Sequence, residues 1–325
     1  MKEQNILITG YPGFLGNYIY RFFHNAGYNV YTLGLLNSDH SHHLVTDIST
    51  EVPNIPDVEF DIVIHAAGKA HVVPKTEEEK NLFYKVNLEG TKNLIQSIDK
   101  LSTPPKSFIF VSTVAVYGLE EGELLDESTQ LNPTTPYGES KKLAEKYINN
   151  WKTTTKKMII RLPLLVGINP PGNLGKMISA IKKGYYFNIA GGKAKRSMVL
   201  AEDIAAYLPI LAEYEGTYNL TDGYHPLFKE LSSAIKSIIK NRKSSCLSIP
   251  FPLIKIFAFI GDFIQKITKK SFPVNSLVLK KMTSDLTFSD KKARKDLGWN
   301  PQKVLDELAN IIEQDLATDC TDEHG

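Results

Sequence analysis

Tyr137-Gly-Glu-Ser-Lys141 places a phenol and an ammonium four residues apart. On a helix that spacing brings both side chains to one face. A cation beside a phenol stabilises the phenolate, so a group with an ordinary pKa of about 10 moves toward useful proton transfer. The same spacing is common by chance and also describes a solvated helix face. Its context is more specific, because the apolar run Phe108 to Ser112 leads into Thr-Val-Ala-Val-Tyr-Gly and supplies the hydroxyl of Thr113, with Ser112 just before it.

A second cluster is built from glycine. Gly10, Gly13 and Gly16 fall in Gly-Tyr-Pro-Gly-Phe-Leu-Gly, directly after the strand-like segment Asn5 to Thr9. Glycine there permits positive φ, lets main-chain N–H groups approach a pyrophosphate and packs a helix close to a strand. The spacing is GxxGxxG, whereas the standard dinucleotide fingerprint is GxGxxG.

Positioning these groups requires alternating strands and helices. Strands are predicted at Asn5 to Thr9, Asn29 to Leu33, Leu44 to Asp47, Phe60 to His65, Phe108 to Ser112 and Met158 to Leu162. Helices are predicted at Gly16 to Ala26, Asn81 to Lys100 and Tyr137 to Trp151, the second carrying Leu82, Val86, Leu94, Ile95 and Ile98 mostly on one side. This alternation is the signature of an α/β, doubly wound parallel sheet of the Rossmann type. Past Pro163 the chain turns rich in proline and glycine before a helix at Leu174 to Lys183, which marks the passage to a smaller C-terminal α/β substrate domain. We place the dinucleotide-binding domain at 1–165 and the substrate domain at 166–312, with Thr217 to Leu220 able to return to the large sheet. The polar tail 313–325 reads as disordered.

The 325 residues fit such a two-part enzyme. A net charge of +2 with 23% charged residues gives no electrostatic reason to expect nucleic acid. Only Cys246 and Cys320 occur, with no His or Cys at metal-ligand spacing, so neither a disulfide framework nor a metal site is indicated and a reducing, cytoplasmic setting is expected. The N-terminus lacks the apolar core of a signal peptide. The most hydrophobic stretch, Ile249 to Ile267, holds two prolines with Lys255, Asp262 and Lys266, which suits a core or interface helix first, a membrane-surface helix second and a membrane span least.

Together these residues resemble the extended short-chain dehydrogenase/reductases, the epimerase/dehydratase family that includes UDP-galactose 4-epimerase. The resemblance covers residues 4 to 310. It implies NADP or NAD as cofactor and a nucleotide sugar as substrate, with Thr113, Tyr137 and Lys141 as catalytic hydroxyl, acid/base and electrostatic partner. It assigns Gly10, Pro12, Gly13, Phe14, Leu15, Gly16, Asp47, Ile48, Ala66, Ala67, Gly68, Asn87, Val111 and Pro163, with Tyr137 and Lys141, to the cofactor. Asp47 could equally cap a helix, and core packing is the lesser alternative for Asn87. Asn173 and Leu174 at a helix start, with Arg196, are implied to hold the substrate diphosphate. Asp203 is expected to cap the next helix and Trp299 to serve packing. The helices Asn81 to Lys100 and Tyr137 to Trp151 are where family members pair, so a homodimer is expected from the resemblance.

Departures from the family pattern narrow the reading. The acidic residue that takes the ribose hydroxyls in NAD-preferring members is replaced by Gly34, followed by Leu35 and Leu36, which leans toward NADP. An aspartate introduced at 34 is accordingly expected to favour NAD. The histidines at 40, 42 and 43 read as a solvated loop cluster. Arg161-Leu-Pro-Leu164 carries leucine where galactose epimerases carry a substrate-contacting asparagine, and Thr113 is followed by Val114-Ala115, with none of the carboxylates of a 4,6-dehydratase. The expected chemistry is hydride transfer at C4 of a UDP- or dTDP-linked (N-acetyl)hexosamine, with 4-keto reduction favoured and C4 epimerisation as the alternative. A redox-silent dinucleotide sensor is the alternative of another class.

Overall fold

The computed structural model describes residues 4–70, 72–268 and 275–322. Seven strands form the large sheet: β1 (Asn5–Thr9), β2 (Asn29–Gly34), β3 (His43–Val45), β4 (Ile62–His65), β5 (Ser107–Thr113), β6 (Lys156–Leu162) and β7 (Gly216–Asn219). They run in the order β3-β2-β1-β4-β5-β6-β7, with every neighbouring pair parallel. Strand order therefore reverses between β1 and β4, where open α/β sheets leave a crevice at their carboxyl ends.

The central strands β1, β4, β5 and β6 are apolar on both faces, as a sheet covered on both sides requires. Ile6, Ile8, Ile62, Ile64, Ile109, Met158 and Ile160 point into one core, with α1 (Phe14–Asn25) packed over it. Leu7, Val63, Phe108, Phe110 and Ile159 point into the opposite core. Within each strand the two sets alternate, because successive side chains of a strand leave on opposite faces.

That second core is covered by a helix the sequence pattern treats as continuous. It runs as α2 (Glu77–Tyr84), a π-turn at Lys85–Glu89 and α3 (Gly90–Ile98). Beside it lies α4 (Pro136–Asn150), begun by the hydroxyl of Thr135, which accepts from Gly138 N. α4 carries Tyr137 and Lys141.

The remaining helices are α5 (Gly172–Lys182), α6 (Ala201–Leu211), α7 (Phe228–Ile239), α8 (Phe251–Thr268), α9 (Ser276–Thr283), α10 (Lys291–Leu297) and α11 (Val304–Asp322). α6 joins α1 over the first core. α5, α7 and α11 enclose a separate core around Leu174, Met177, Ile178, Ile181, Leu231, Ile235, Leu308 and Ile312.

Two expectations are corrected here. The segment 313–322 is the end of α11, and residues 323–325 lie outside the described residues. Asp315 is buried, accepts from the Asn169 main-chain N–H at 3.0 Å and pairs with Lys182 at 2.8 Å, so local polarity is outweighed by a specific buried anchor. Asp203 does not cap α6, which starts two residues earlier. Its carboxylate instead accepts from Gln302 N at 2.8 Å, tying α6 to the connection before α11. Trp299 is buried and its indole N–H donates to the Thr221 carbonyl at 2.8 Å, a packing role.

Candidate active site

At the crevice between β1 and β4 lies a cavity of about 560 Å³. It runs from Gly34, Leu35, Leu36, Asp47 and Ile48 at one end, past the start of α1, to Thr113, Tyr137, Lys141 and Pro163 at the other. Gly10 makes the turn out of β1 at φ +88°, and a Cβ there would sit 2.6 Å from Ala67 N. That close approach brings the Ala66-Ala67-Gly68 turn against the glycine turn. The carbonyl of Gly10 in turn crowds both Gly13 and Gly16, leaving room for hydrogen only. No side chain caps α1 and no acidic residue occupies its first turn, so its free N–H groups face the cavity as an anion site.

Asp47 lines the far end while one of its oxygens accepts from Ser49 N at 2.9 Å. The residues that follow form a turn and not a helix, so the helix-cap reading is corrected. Ile48 packs on Gly90, where a Cβ would lie 3.0 Å from its side chain. Gly34 is not where cofactor preference can be rewritten. A Cβ at that position would fall 1.8 Å from the Tyr11 carbonyl, so the expectation for an aspartate at 34 fails on packing. Leu35 and Leu36 line the same end and are well exposed. Gly34→Ala is predicted to lower stability by about 1 to 3 kcal/mol through overpacking and to weaken NAD and NADP together. Thermal melts with each cofactor titrated check this, and an unchanged melt would mean that the Tyr11 turn yields freely.

Of the histidines after β2, His42 is exposed, as a solvated cluster expects, while His40 and His43 are partly buried. His43 donates from Nε2 to the Leu36 carbonyl at 2.7 Å, and its Nδ1 meets the Thr32 hydroxyl at 2.8 Å. His40 packs on Tyr20 and Tyr11, and His42 stacks on Tyr31. Aromatic side chains on β2, on α1 and in the turn before it offer these imidazoles faces to pack on.

At the near end the catalytic-type groups converge. Lys141 is buried, with Nζ donating to the Val111 carbonyl at 2.8 Å and lying 4.4 Å from the Phe110 ring centroid. Burial lowers its pKa to about 7, against an upward pull from Glu145. Tyr137 is enclosed by protein, which raises its pKa above the ordinary value, and a hydrogen bond with Thr113 draws it partly back. The hydroxyl of Thr113 also accepts from Ala115 N at 3.2 Å. Ser112 lines the cavity too, but its hydroxyl donates to Glu145 at 2.5 Å and is committed there.

Asn87 is wholly buried within the π-turn, an insertion that recurs at functional sites. It accepts from Lys69 N at 2.8 Å and donates to the Lys69 carbonyl at 3.1 Å and to Ser140 Oγ at 2.9 Å. Ser140 in turn donates to the Tyr137 carbonyl at 2.8 Å. Asn87 thus locks the loop after β4 to the helix that carries the phenol.

Sequence reasoning missed a support beneath the site. Thr91 donates to the Asn87 carbonyl at 2.7 Å and so must accept from His65 Nε2 at 2.9 Å. His65 Nδ1 is then the acceptor facing Thr9 Oγ1 at 2.7 Å, and Thr9 Oγ1 accepts from Ala67 N at 3.2 Å. Burial and the neighbouring Lys141 hold the pKa of His65 at about 3, so the ring is neutral and the chain of hydrogen bonds keeps one direction. The threonines lie on separate elements, and only their neighbourhood around His65 reveals the set.

The substrate residues expected from the resemblance do not line this cavity. Pro171, just before α5, does. Leu174 is buried in the core behind it, and Asn173 is exposed on the first turn. Arg196 donates to the carbonyls of Lys195 at 2.7 Å, Ser284 at 2.6 Å and Lys281. The last two lie at the end of α9, where unpaired carbonyls attract a guanidinium.

The model of the NAD dependent epimerase/dehydratase family matches residues 6–220. The chain is 28% identical over 308 residues to the N-acetyl-alpha-D-glucosaminyl-diphospho-ditrans,octacis-undecaprenol 4-epimerase of Escherichia coli O157:H7, covering 89% of this chain and 88% of that protein. It is also 28% identical over 343 residues to the decarboxylating sterol-4-alpha-carboxylate 3-dehydrogenase of Dictyostelium discoideum, covering 94% of this chain and all of the relative. The fold is shared with the UDP-glucose 4-epimerase of Thermotoga maritima, at a TM-score of 0.74 and 20% identity over 97% of this chain and 99% of that one. Glycine turn, parallel sheet and converging phenol and ammonium agree with the match over two thirds of the sequence: this chain belongs to the NAD-dependent epimerase/dehydratase family and is an NAD(P)-dependent enzyme.

Proposed function

We propose that the protein is a C4 epimerase of an N-acetylhexosamine carried on a diphosphate, either as a nucleotide sugar or on a polyprenol. The observation that carries this reading is the makeup of the cavity wall. Thr113, Tyr137 and Lys141 meet at one end, and Asp47, at the opposite end, is the sole carboxylate among the described lining residues. A dehydratase needs a further acid or base beside the phenol, and none of the described lining residues supplies it. The relative from Escherichia coli O157:H7, a 4-epimerase of a diphosphate-linked N-acetylglucosamine, supports the choice of epimerisation over net reduction.

The α1 N-terminus, Asp47, Ile48, the 66–68 turn and Pro163 would hold NAD(P), which would supply hydride exchange at C4. Tyr137 removes the O4 proton and later returns it. Lys141 stabilises the phenolate, and Thr113 hydrogen-bonds O4 and keeps it pointed at Tyr137. Asn87 and Ser140 hold the main chain of Tyr137 in register. Epimerisation follows when the 4-keto sugar presents its other face before hydride returns. Reduction of a 4-keto sugar would use the same three side chains in one direction only.

The purified protein should be given UDP-N-acetylglucosamine and, separately, N-acetylglucosamine diphosphate on a short polyprenol, with sugar products followed by NMR and cofactor by absorbance. The expected result is conversion to the galacto isomer with no net cofactor consumption. Stoichiometric oxidation of reduced cofactor by a 4-keto sugar would replace this reading with reduction, and cofactor binding without any turnover would point to a sensor.

A further inference from the structure

α8 turns an apolar face outward. Ile254, Ala258 and Gly261, spaced four and three apart, form its inward side against Leu279 of α9. Leu253, Ile256, Phe257 and Ile260, at i, i+3, i+4 and i+7, are all exposed, as is Phe259 at 75%. Apolar residues on both sides of a surface helix mean that one side lacks a partner among the described residues. Tyr185, Phe187 and Leu247 extend the patch, since Asn188–Ile189 pairs with Ser248–Ile249 immediately before α8. α8 cannot cross a membrane: Lys255, Asp262 and Lys266 interrupt it, and no helix among the described residues is long and apolar enough to span.

Charge selects among possible occupants. Residues 236–268 contain Lys236, Lys240, Arg242, Lys243, Lys255 and Lys266 against the single acid Asp262, whose carboxylate is engaged by Ser276. On α8 the two lysines fall along one edge of the apolar face, with spacings of seven and four through Asp262. Lysines in that position lay their alkyl stems on apolar surface while the ammonium reaches polar headgroups. The exposed basic turn 240–243 directly precedes the segment that feeds α8. An apolar face bordered by cations fits an anionic bilayer surface, whereas a second copy of the same face would bring like charges together.

We propose that α8 docks the enzyme on anionic phospholipid, lying in the plane of the headgroups with Ile256, Phe257, Phe259 and Ile260 inserted. Docking stands independently of the sugar chemistry. Its purpose rests on the proposed activity: a substrate tethered through a polyprenyl tail stays in the bilayer, and docking brings the enzyme to it.

The test is vesicle flotation of the full-length protein, without sugar substrate, so that its failure leaves the activity reading untouched. Vesicles of phosphatidylglycerol and phosphatidylethanolamine should carry the parent protein upward, while phosphatidylcholine alone and high salt should release it. The double substitution Ile256→Glu/Phe259→Glu is expected to reduce partitioning at least tenfold, with cofactor binding and native mass unchanged. Lys240→Ala/Lys243→Ala, which leaves the apolar face intact, should weaken binding at low salt by about fivefold per lysine. A parent protein that stays in solvent with every vesicle overturns the proposal, as does equal flotation of the glutamate variant. A parent dimer that the glutamate variant converts to monomer would assign the face to a second copy and overturn it too.

Discussion

Tyr137→Phe is expected to fold and bind NAD(P) normally while turnover falls by about 10² to 10⁴-fold, the loss that follows from removing a positioned acid/base. The ring packing is kept and only the phenolic oxygen goes. The pH dependence gives an independent reading of the same assignment. Oxidation of a C4 alcohol uses the pair as phenolate and ammonium, a state with the same number of bound protons as neutral phenol with neutral amine. Enclosure raises Tyr137 and brings Lys141 to about 7, so the first proton leaves the pair near pH 7. The reactive fraction is then level above that pH and falls about tenfold per unit below it. Lys141→Met removes the ammonium and should move the rising limb far into the alkaline range. A Tyr137→Phe enzyme with near-parental kcat on its identified substrate, or a Lys141→Met enzyme with an unshifted profile, would refute the roles given to these residues.

Glu145→Ala should be the most damaging single change to stability outside the site, at about 3 to 5 kcal/mol. The carboxylate is buried in α4 and meets Arg161 of β6 in two bonds, Nη2 to Oε2 at 2.7 Å and Nε to Oε1 at 3.1 Å. Arg161 continues to Tyr117 Oη at 3.0 Å, and Tyr117 donates to Asn219 of β7 at 2.8 Å. Removing the carboxylate strands a guanidinium away from water and frees the Ser112 hydroxyl next to Thr113. The double variant Glu145→Leu/Arg161→Met leaves no unpaired charge and should recover much of the loss, because a buried ion pair differs little in net worth from well-packed apolar residues. Urea midpoints of the parent, single and double variants decide the matter. A double variant no more stable than the single one would show that the hydrogen-bond network, and not the stranded charge, sets the cost.

The near half of the site was legible because its information is local. Tyr137 and Lys141 sit one helical turn apart, Thr113 ends a strand, and the glycines occupy a single strand-to-helix turn, so spacing alone brings each set together. Leu35 and Leu36 were noted as the break in the acidic pattern, and the structure puts both on the cavity wall. The limits of Gly34 were not legible, because they are set by the Tyr11 carbonyl, which belongs to another element. Arg196 fared likewise: its position along the chain matches a family arginine, but the direction of its side chain is decided by the carbonyls at the end of α9.

What the sequence by itself determined is whatever depends on period and short range: the alternation of strand and helix, the order of elements that implies a parallel sheet, and the residues of the glycine turn and of the Tyr-Lys pair. The tertiary structure alone decided the relations between distant segments. It joined Thr9, His65 and Thr91 into one hydrogen-bonded support, returned Gly216–Asn219 to the edge of the sheet, and anchored the polar end of α11 through Asp315. It also left the outer face of α8 uncovered, although the same residues read as a core or interface helix. The physical reason is that hydrophobicity along a chain states how much apolar surface a helix carries, while which side is buried, and against what, depends on the packing of elements far apart in sequence.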